Sequence, residues 1–366
     1  MRAHGTAMAL PRTMPAVVCH GPQDYRLDEW RVPEPGPGEV LLAVHSVGIC
    51  ASDLKCYLGA PLFWGDGRRP GYAQPPVIPG HEFVGQVVAL GAGAGEKYGL
   101  ALGDMAVSEQ IVPCWRCRYC RRGQYWMCPT GDVYGFRQAA FGAWAEYVLL
   151  PAGALNYRVP ATVPAEHAAF IEPLACSVHA VQRAEIELDD VVVIAGAGPL
   201  GLGMVAAARL KNPRLLVVLD LNDQRLDVAR ACGADLTFNP GQVDAVDEVL
   251  KLTDGYGCDV YIEATGSPAA VVQGLDMIAR LGTFVEFSLL RQPVTVDWTI
   301  IGDLKELNIH GSHLSPYCYP IAMDMLAKGL LPMARIQTHW LPLDQFQAGI
   351  DLVAAGTESI KVTLQP

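Results

Sequence analysis

Positive charge is scarce in this chain. Across 366 residues, 27 lysines and arginines stand against 38 aspartates and glutamates, a net charge of −11. Long-range electrostatics therefore works against nucleic acid and against anionic membrane surfaces as partners. The opening MRAHGTAMAL lacks the continuous apolar region of a secretory signal, so no export is expected from it; a loose extension ahead of a strand around residues 16–19 is. A membrane span is missing as well. The uncharged stretch 191–208 approaches the roughly 20 apolar residues that a bilayer requires, but glycine and proline interrupt its centre. There is no internal repeat, low-complexity tract or long linker. What remains is a folded chain suited to a small-molecule partner, with 51% apolar residues, enough for the cores of about two domains.

Cysteine is abundant, with eleven residues, but its distribution argues against a disulfide framework. Cys114, Cys117, Cys120 and Cys128 crowd into EQIVPCWRCRYCRRGQYWMC at intervals of two, two and seven residues, while the others are scattered. Thiolates so spaced can converge on one tetrahedral zinc and close its coordination sphere, which makes a structural site with no open position for chemistry. A reducing cytoplasm is the expected setting. A zinc-ribbon module for nucleic acid is a rival reading of the ladder, helped by Arg116, Arg118, Arg121 and Arg122 but opposed by the acidity of the chain.

Hydrophobic periodicity divides the chain. From Val40 to about Tyr147, short β-type runs (VLLAVHSV, FVGQVVAL, AEYVLL) alternate with turns rich in glycine and proline. From Asp190 strand and helix patterns alternate, the rhythm of a parallel sheet covered on both faces. Within that second region Gly196-Ala197-Gly198-Pro199-Leu200-Gly201 follows the strand VVVIA and opens a helix. Such glycines allow a tight turn and close approach of a pyrophosphate to a helix N-terminus. Asp220 closes the next strand nineteen residues after Gly201, where a carboxylate can bind a ribose diol and repel a 2′-phosphate, favouring NAD over NADP. Arg225 could reach the adenosine ribose or be a solvated helix residue. Thr265 and Ser288 follow later strands of the sheet, where doubly wound folds bind ligands.

A second set of metal-binding residue types is dispersed: Cys50 in GICASDLKCY, His81-Glu82 in IPGHEFVG, and Glu172 in FIEPLAC. Each has an ordinary structural reading by itself. Their order around the cysteine ladder and the glycine motif resembles that of the zinc-dependent medium-chain dehydrogenases, in the polyol dehydrogenase branch, over nearly the whole chain. The resemblance implies an α/β protein with a GroES-like, mostly-β catalytic domain (residues 1–173 and 315–366) and a Rossmann doubly wound parallel-sheet coenzyme domain (174–314). It also implies a catalytic zinc on Cys50, His81, Glu82 and Glu172, the last direct or through water, beside the structural zinc and NAD. Ser52 would pass the substrate proton outward, or would simply cap the helix that follows it. Lys55 stands where the family places a relay histidine.

Glu172 points, through the family, to polyol or threonine dehydrogenases. The expected reaction is oxidation of a short polyol, erythritol or L-threitol, to the ketose erythrulose. Xylitol, sorbitol, butanediol or threonine are alternative substrates, and a catalytically silent zinc- and NAD-binding protein is the alternative outside enzymes. The loop between Gly59 and His81, with Phe63, Trp64, Asp66, Arg68 and Tyr72, is expected near the pocket, and Trp64, Phe136 and Ser312 are candidate substrate contacts. His45 and His179 read as packing residues, whereas His310 and His313 could reach substrate. The family suggests a homodimer or homotetramer.

Overall fold

The run Val191–Ala195 is buried at every position. A strand without a polar face must be covered on both sides, and in the computed structural model it lies inside a six-stranded parallel sheet. Neighbouring strands run Leu236–Phe238, Leu215–Leu219, Val191–Ala195, Cys258–Glu263, Ile278–Glu286 and Asn308–Gly311. Numbered along the chain this is the doubly wound order 3-2-1-4-5-6, with its switch point beside Val191–Ala195. Each β-branched or leucine side chain buried there contributes on the order of 1.5–3 kcal/mol. The structure describes residues 10–290 and 292–366, so the expected N-terminal extension lies outside the described residues.

The other sheet has seven strands and is mostly antiparallel. Its order is Gln337–Pro342, Lys361–Gln365, Val40–Gly48, Glu82–Leu90, Met105–Ser108 and Asn156–Arg158, with Tyr147–Leu150 also paired to Val40–Gly48. Among the described residues of this sheet only Gln337–Pro342 and Lys361–Gln365 run parallel. Trp144, Tyr134, Leu41 and Leu42 are fully buried in its core.

The chain forms two compact units, Met1–Glu172 with Gln337–Pro366, and Pro173–Ile336. The return to the first unit therefore comes at Gln337, later than the expected Ser315. The reason lies in specific contacts: His179 Nδ1 meets the Leu314 carbonyl at 3.0 Å, and Cys318 Sγ approaches Gln182 Oε1 at 3.5 Å. These tie the segment before the helix Tyr319–Ala327 to the helix Ile171–Arg183. Among the described residues no helix is long and apolar enough to cross a membrane.

Candidate active site and metal centres

Cys50 lies just past the end of strand Val40–Gly48 and caps the helix Ala51–Tyr57. Its N–H donates to Asp53 Oδ2 at 2.9 Å, so Cys50 starts this helix and Ser52 does not, correcting the capping alternative for Ser52. Asp53 is buried, and its Oδ1 lies 3.5 Å from His81 Nδ1. That contact orients the imidazole and leaves Nε2, 3.5 Å from Ser52 Oγ, for a ligand. One ligand atom each from Cys50, His81 and Glu82 falls within a 4.8 Å group. Glu172 is buried in the first turn of helix Ile171–Arg183 but is not a member of that group.

The electrostatics suit a cation. Burial lowers the proton affinity of His81, yet the Asp53 carboxylate, followed by Cys50, carries its pKa well above the usual histidine value. Lys361 supplies a buried ammonium beside Glu82 and donates to the Ile49 carbonyl at 3.0 Å. Burial disfavours that charge, but Glu82, with Cys50 and Glu172 behind it, raises the lysine above its ordinary value. A thiol, an imidazole and a carboxylate so arranged match the donor set of an open zinc site.

One wall of this site is aromatic. Phe136 is 5.5 Å from the His81 ring and stacks on Phe63 at 4.9 Å. Tyr72 packs on Phe136 at 6.2 Å and accepts a hydrogen bond from the Val133 N–H, while the Trp64 indole donates to the Cys56 carbonyl. Part of the loop before His81 thus folds inward. Asp66 and Arg68 are exposed at its tip, where Asp66 Oδ1 accepts from the Arg68 and Arg69 N–H groups. Lys55 is half-buried on the helix that carries Ser52.

The cysteine ladder also converges. Cys117 Sγ is 3.5 Å from Cys120 Sγ and 3.9 Å from Cys128 Sγ, and Cys114 joins the same 4.8 Å group. Zinc with bonds of about 2.3 Å gives tetrahedral S···S edges of about 3.8 Å, so the spacing fits. All four are free thiols. Burial, then Cys117 and Cys128, pushes Cys120 up to about 12, whereas the Thr130 hydroxyl and the Arg116 N–H hold Cys114 down to about 5. Beneath the ladder Glu109, fully buried, accepts hydrogen bonds of 2.7 Å from both Tyr125 and Tyr157.

In the second unit Gly196 has φ +104°, and a Cβ there would lie 2.8 Å from the Ala264 carbonyl. Gly198 meets nothing within 4 Å, which leaves its backbone open to a ligand at the start of helix Pro199–Arg209, with Leu200 and Gly201 in the first turn. Asp220 Oδ2 accepts from the Ala197 N–H at 2.6 Å, joining the strand-end carboxylate to the glycine turn. Arg225 is half-buried on helix Asp223–Ala231. Thr265 turns its hydroxyl onto the buried Glu263, whose carboxylate also takes the Thr265 N–H at 2.7 Å. Ser288 lies two residues beyond Glu286, and its backbone favours the charged form of that carboxyl. Ser312 Oγ lies 3.4 Å from His179 Nδ1 and its N–H donates to the Glu286 carbonyl. The His310 ring meets the Arg183 carbonyl at 2.7 Å.

Family models match both units. The Alcohol dehydrogenase GroES-like domain covers residues 36–161, and Zinc-binding dehydrogenase covers 199–328. The erythritol/L-threitol dehydrogenase of Mycolicibacterium smegmatis is 55% identical over 98% of this chain and 99% of its own. The chain belongs to the zinc-dependent medium-chain dehydrogenases. Another member, the L-threonine 3-dehydrogenase of Pyrococcus horikoshii, is 36% identical over 90% of this chain and 92% of its own. A structure of an alcohol dehydrogenase from E. coli CFT073 in complex with NADH has a TM-score of 0.85 at 27% identity, covering 97% of this chain and all of that one. As a medium-chain dehydrogenase the protein is an oxidoreductase that uses zinc and a nicotinamide cofactor.

Sequence reasoning missed Lys361, Glu109 and Glu263. A charged residue read without its partner defaults to the surface. For Lys361 the only local sign is its place inside the apolar terminal run SIKVTLQP.

Proposed function

We propose that this dehydrogenase oxidises a short polyol, erythritol or L-threitol, to erythrulose with NAD. The observation that carries this reading is the 55% identity, over essentially both full lengths, to the Mycolicibacterium smegmatis enzyme of that name. The balance is a secondary alcohol and NAD⁺ giving a ketone, NADH and one proton. When bound, zinc supplies a Lewis acid that acidifies the alcohol hydroxyl, and the nicotinamide accepts the hydride. Cys50, His81 and Glu82 are the residues we assign to the catalytic zinc, with Glu172 contributing directly or through water; the four ladder cysteines hold the structural one.

The chain's own residues divide the remaining work. Asp53 orients His81 through Nδ1, and Phe136 with Phe63 gives the site an apolar wall that excludes water from one side. Ser52 Oγ, beside His81 Nε2, takes the departing proton. Its onward route runs to water, because the lysine at position 55, where the family places a relay histidine, is a poor acceptor at neutral pH if it keeps the ordinary lysine pKa of about 10.4. The glycine turn and the helix N-terminus at Pro199 receive the pyrophosphate, and Asp220 receives the adenosine ribose. Trp64, Phe136 and Ser312 remain the candidate substrate contacts.

The test is NADH formation across erythritol, both threitols, xylitol, sorbitol, threonine and ethanol. Erythritol or L-threitol should give the highest kcat/KM; preference for threonine or ethanol would overturn the assignment. A homodimer or homotetramer in the cytoplasm completes the reading, and sedimentation equilibrium of the purified chain checks the assembly.

A further inference from the structure

We propose that Cys19 and Cys56 form a redox site: a peroxide closes this buried thiol pair to a disulfide, and the bond slows the enzyme by displacing the helix Ala51–Tyr57. The effect on turnover rests on the reading that this helix and its cap bring Ser52 and Cys50 to the catalytic zinc. Closure of the disulfide does not depend on it.

The hairpin of strands Thr13–Gly21 and Asp24–Arg31 sets Cys19 opposite Tyr25. Its turn is docked on the end of the helix, where the Gln23 N–H donates to the Tyr57 carbonyl at 2.8 Å and the Tyr25 and Tyr57 rings meet edge to face at 5.1 Å. Cys56 precedes Tyr57 and meets Cys19 at this joint. The two sulfhydryls share a hydrogen bond, and the Tyr25 hydroxyl contacts both. Cys19 is 1% exposed and Cys56 2%. Neither belongs to the two groups of residues that gather around zinc, so a bound metal does not mask these sulfurs.

The pair divides into a nucleophile and a proton donor. Cys56 donates to Cys19, and that hydrogen bond outweighs burial to bring Cys19 below the ordinary thiol value, whereas Cys19 first and burial second raise Cys56. The Cys19 thiolate attacks one peroxide oxygen, the O–O bond breaks, and a sulfenic acid forms while hydroxide leaves and takes up a proton as water. The Cys56 sulfur then attacks the sulfenic sulfur, its proton departs with the hydroxyl as a second water, and the S–S bond is made. The thiols lose two electrons and the peroxide gains them. Burial selects the oxidant, since a molecule hardly larger than water can reach sulfurs that a bulky disulfide cannot.

The helix has only seven residues, so its two ends do not move independently. Cys56 lies one turn beyond Ser52 and Asp53, and its carbonyl holds the Trp64 indole at 2.7 Å. A covalent bond draws the last turn closer to the strand than a hydrogen bond does, and the shift passes to Ser52, Asp53 and the Cys50 cap. Misplacing reacting groups by about 1 Å can cost about a hundredfold in rate.

The zinc-loaded protein is exposed to a modest excess of hydrogen peroxide and read in three ways: peptide mapping without reductant, zinc content, and kcat with whichever substrate of the panel serves best. Peptides joined through Cys19 and Cys56 should appear and kcat should fall at least about fivefold, with zinc retained and both changes reversed by dithiothreitol. Cys19→Ser should start near the wild-type rate and keep it through the same exposure; Cys19→Ala takes its place if the serine variant fails to fold. Absence of the joined peptides, an unchanged rate in fully joined protein, zinc lost in step with the rate, or the same reversible loss in the Cys19 variant would each overturn the proposal. Preference for threonine or ethanol in the unoxidised protein would instead overturn the polyol assignment and leave this site standing.

Discussion

Two neighbouring glutamates show how much a side chain's meaning depends on what faces it. Glu263 and Glu286 end adjacent parallel strands in register, and Glu263 is fully buried against the amides of Thr265 and Gly266. Glu286 is partly exposed, but its Oε1 is buried and has no hydrogen-bond partner. Burial first, and the charge of Glu263 second, raise Glu286 to about 7. A carboxyl raised in the folded state keeps a proton that the unfolded chain gives up, so its contribution is present below the unfolded value and is lost as pH climbs through about 7. Solvent at the partly exposed group reduces the effect to about 1–2 kcal/mol. Glu286→Gln should therefore be more stable than wild type at pH 8 and nearly equal to it at about pH 4.5, as denaturant unfolding at both values would reveal. Equal stabilities at pH 8 would refute the assigned penalty of burial and repulsion.

At the scale of elements, the excursion between strand Ile111–Val112 and its partner Asp132–Val133 is too short in regular structure to support itself. It contains two short 3₁₀ turns, Cys120–Arg122 and Tyr125–Met127, and its four thiols converge on one point. Glu109, through Tyr125 and Tyr157, anchors the base of the loop to strand Asn156–Arg158. Cys120→Ala should lower bound zinc from two ions to one and cost at least about 2 kcal/mol of stability. Its kcat/KM at low temperature should remain within about threefold of wild type, because the open metal site draws none of its ligands from the excursion. Metal analysis with thermal unfolding checks the first pair of expectations, and steady-state rates check the last.

At the scale of the whole molecule, metal and nucleotide chemistry are assigned to separate units. The described residues of the glycine turn, Asp220, Thr265 and Ser288 all fall within Pro173–Ile336, while both zinc groups fall within Met1–Glu172. Stripping zinc with a chelator should abolish turnover but leave NADH bound with a dissociation constant within a few-fold of the loaded protein, measurable by nicotinamide fluorescence at a temperature where the stripped protein stays folded. Loss of NADH binding on gentle zinc removal would show that the two chemistries are not separable in this way.

Much of this architecture was legible in the chain itself, for reasons that differ from place to place. The ladder Cys114-Cys117-Cys120-Cys128 could be read because its ligands are local, and spacing alone brings thiols to one point. The nucleotide turn could be read because Gly196, the helix start at Pro199 and the strand end at Asp220 are consecutive parts of one βαβ unit. The open metal site was visible only through the family order of its residues, since Cys50 and His81 meet through Asp53 and a chain reversal that periodicity does not encode. The return to the first unit at Gln337 was misplaced because the helix Tyr319–Ala327 has an apolar pattern that fits either core.

Lys361 marks the boundary between the two kinds of information. By itself the sequence determined the fold class, the two metal groups and the nucleotide turn, because each follows from short-range spacing, periodicity or a recognisable order of motifs. Only the tertiary structure decided which charges are buried and what they face. Lys361 and Glu82 stand 279 residues apart, and the pairing of the terminal strand with Val40–Gly48 is what brings them together. Burial and Coulomb interaction depend on distance in space, and a linear chain does not carry that distance until the sheet has closed.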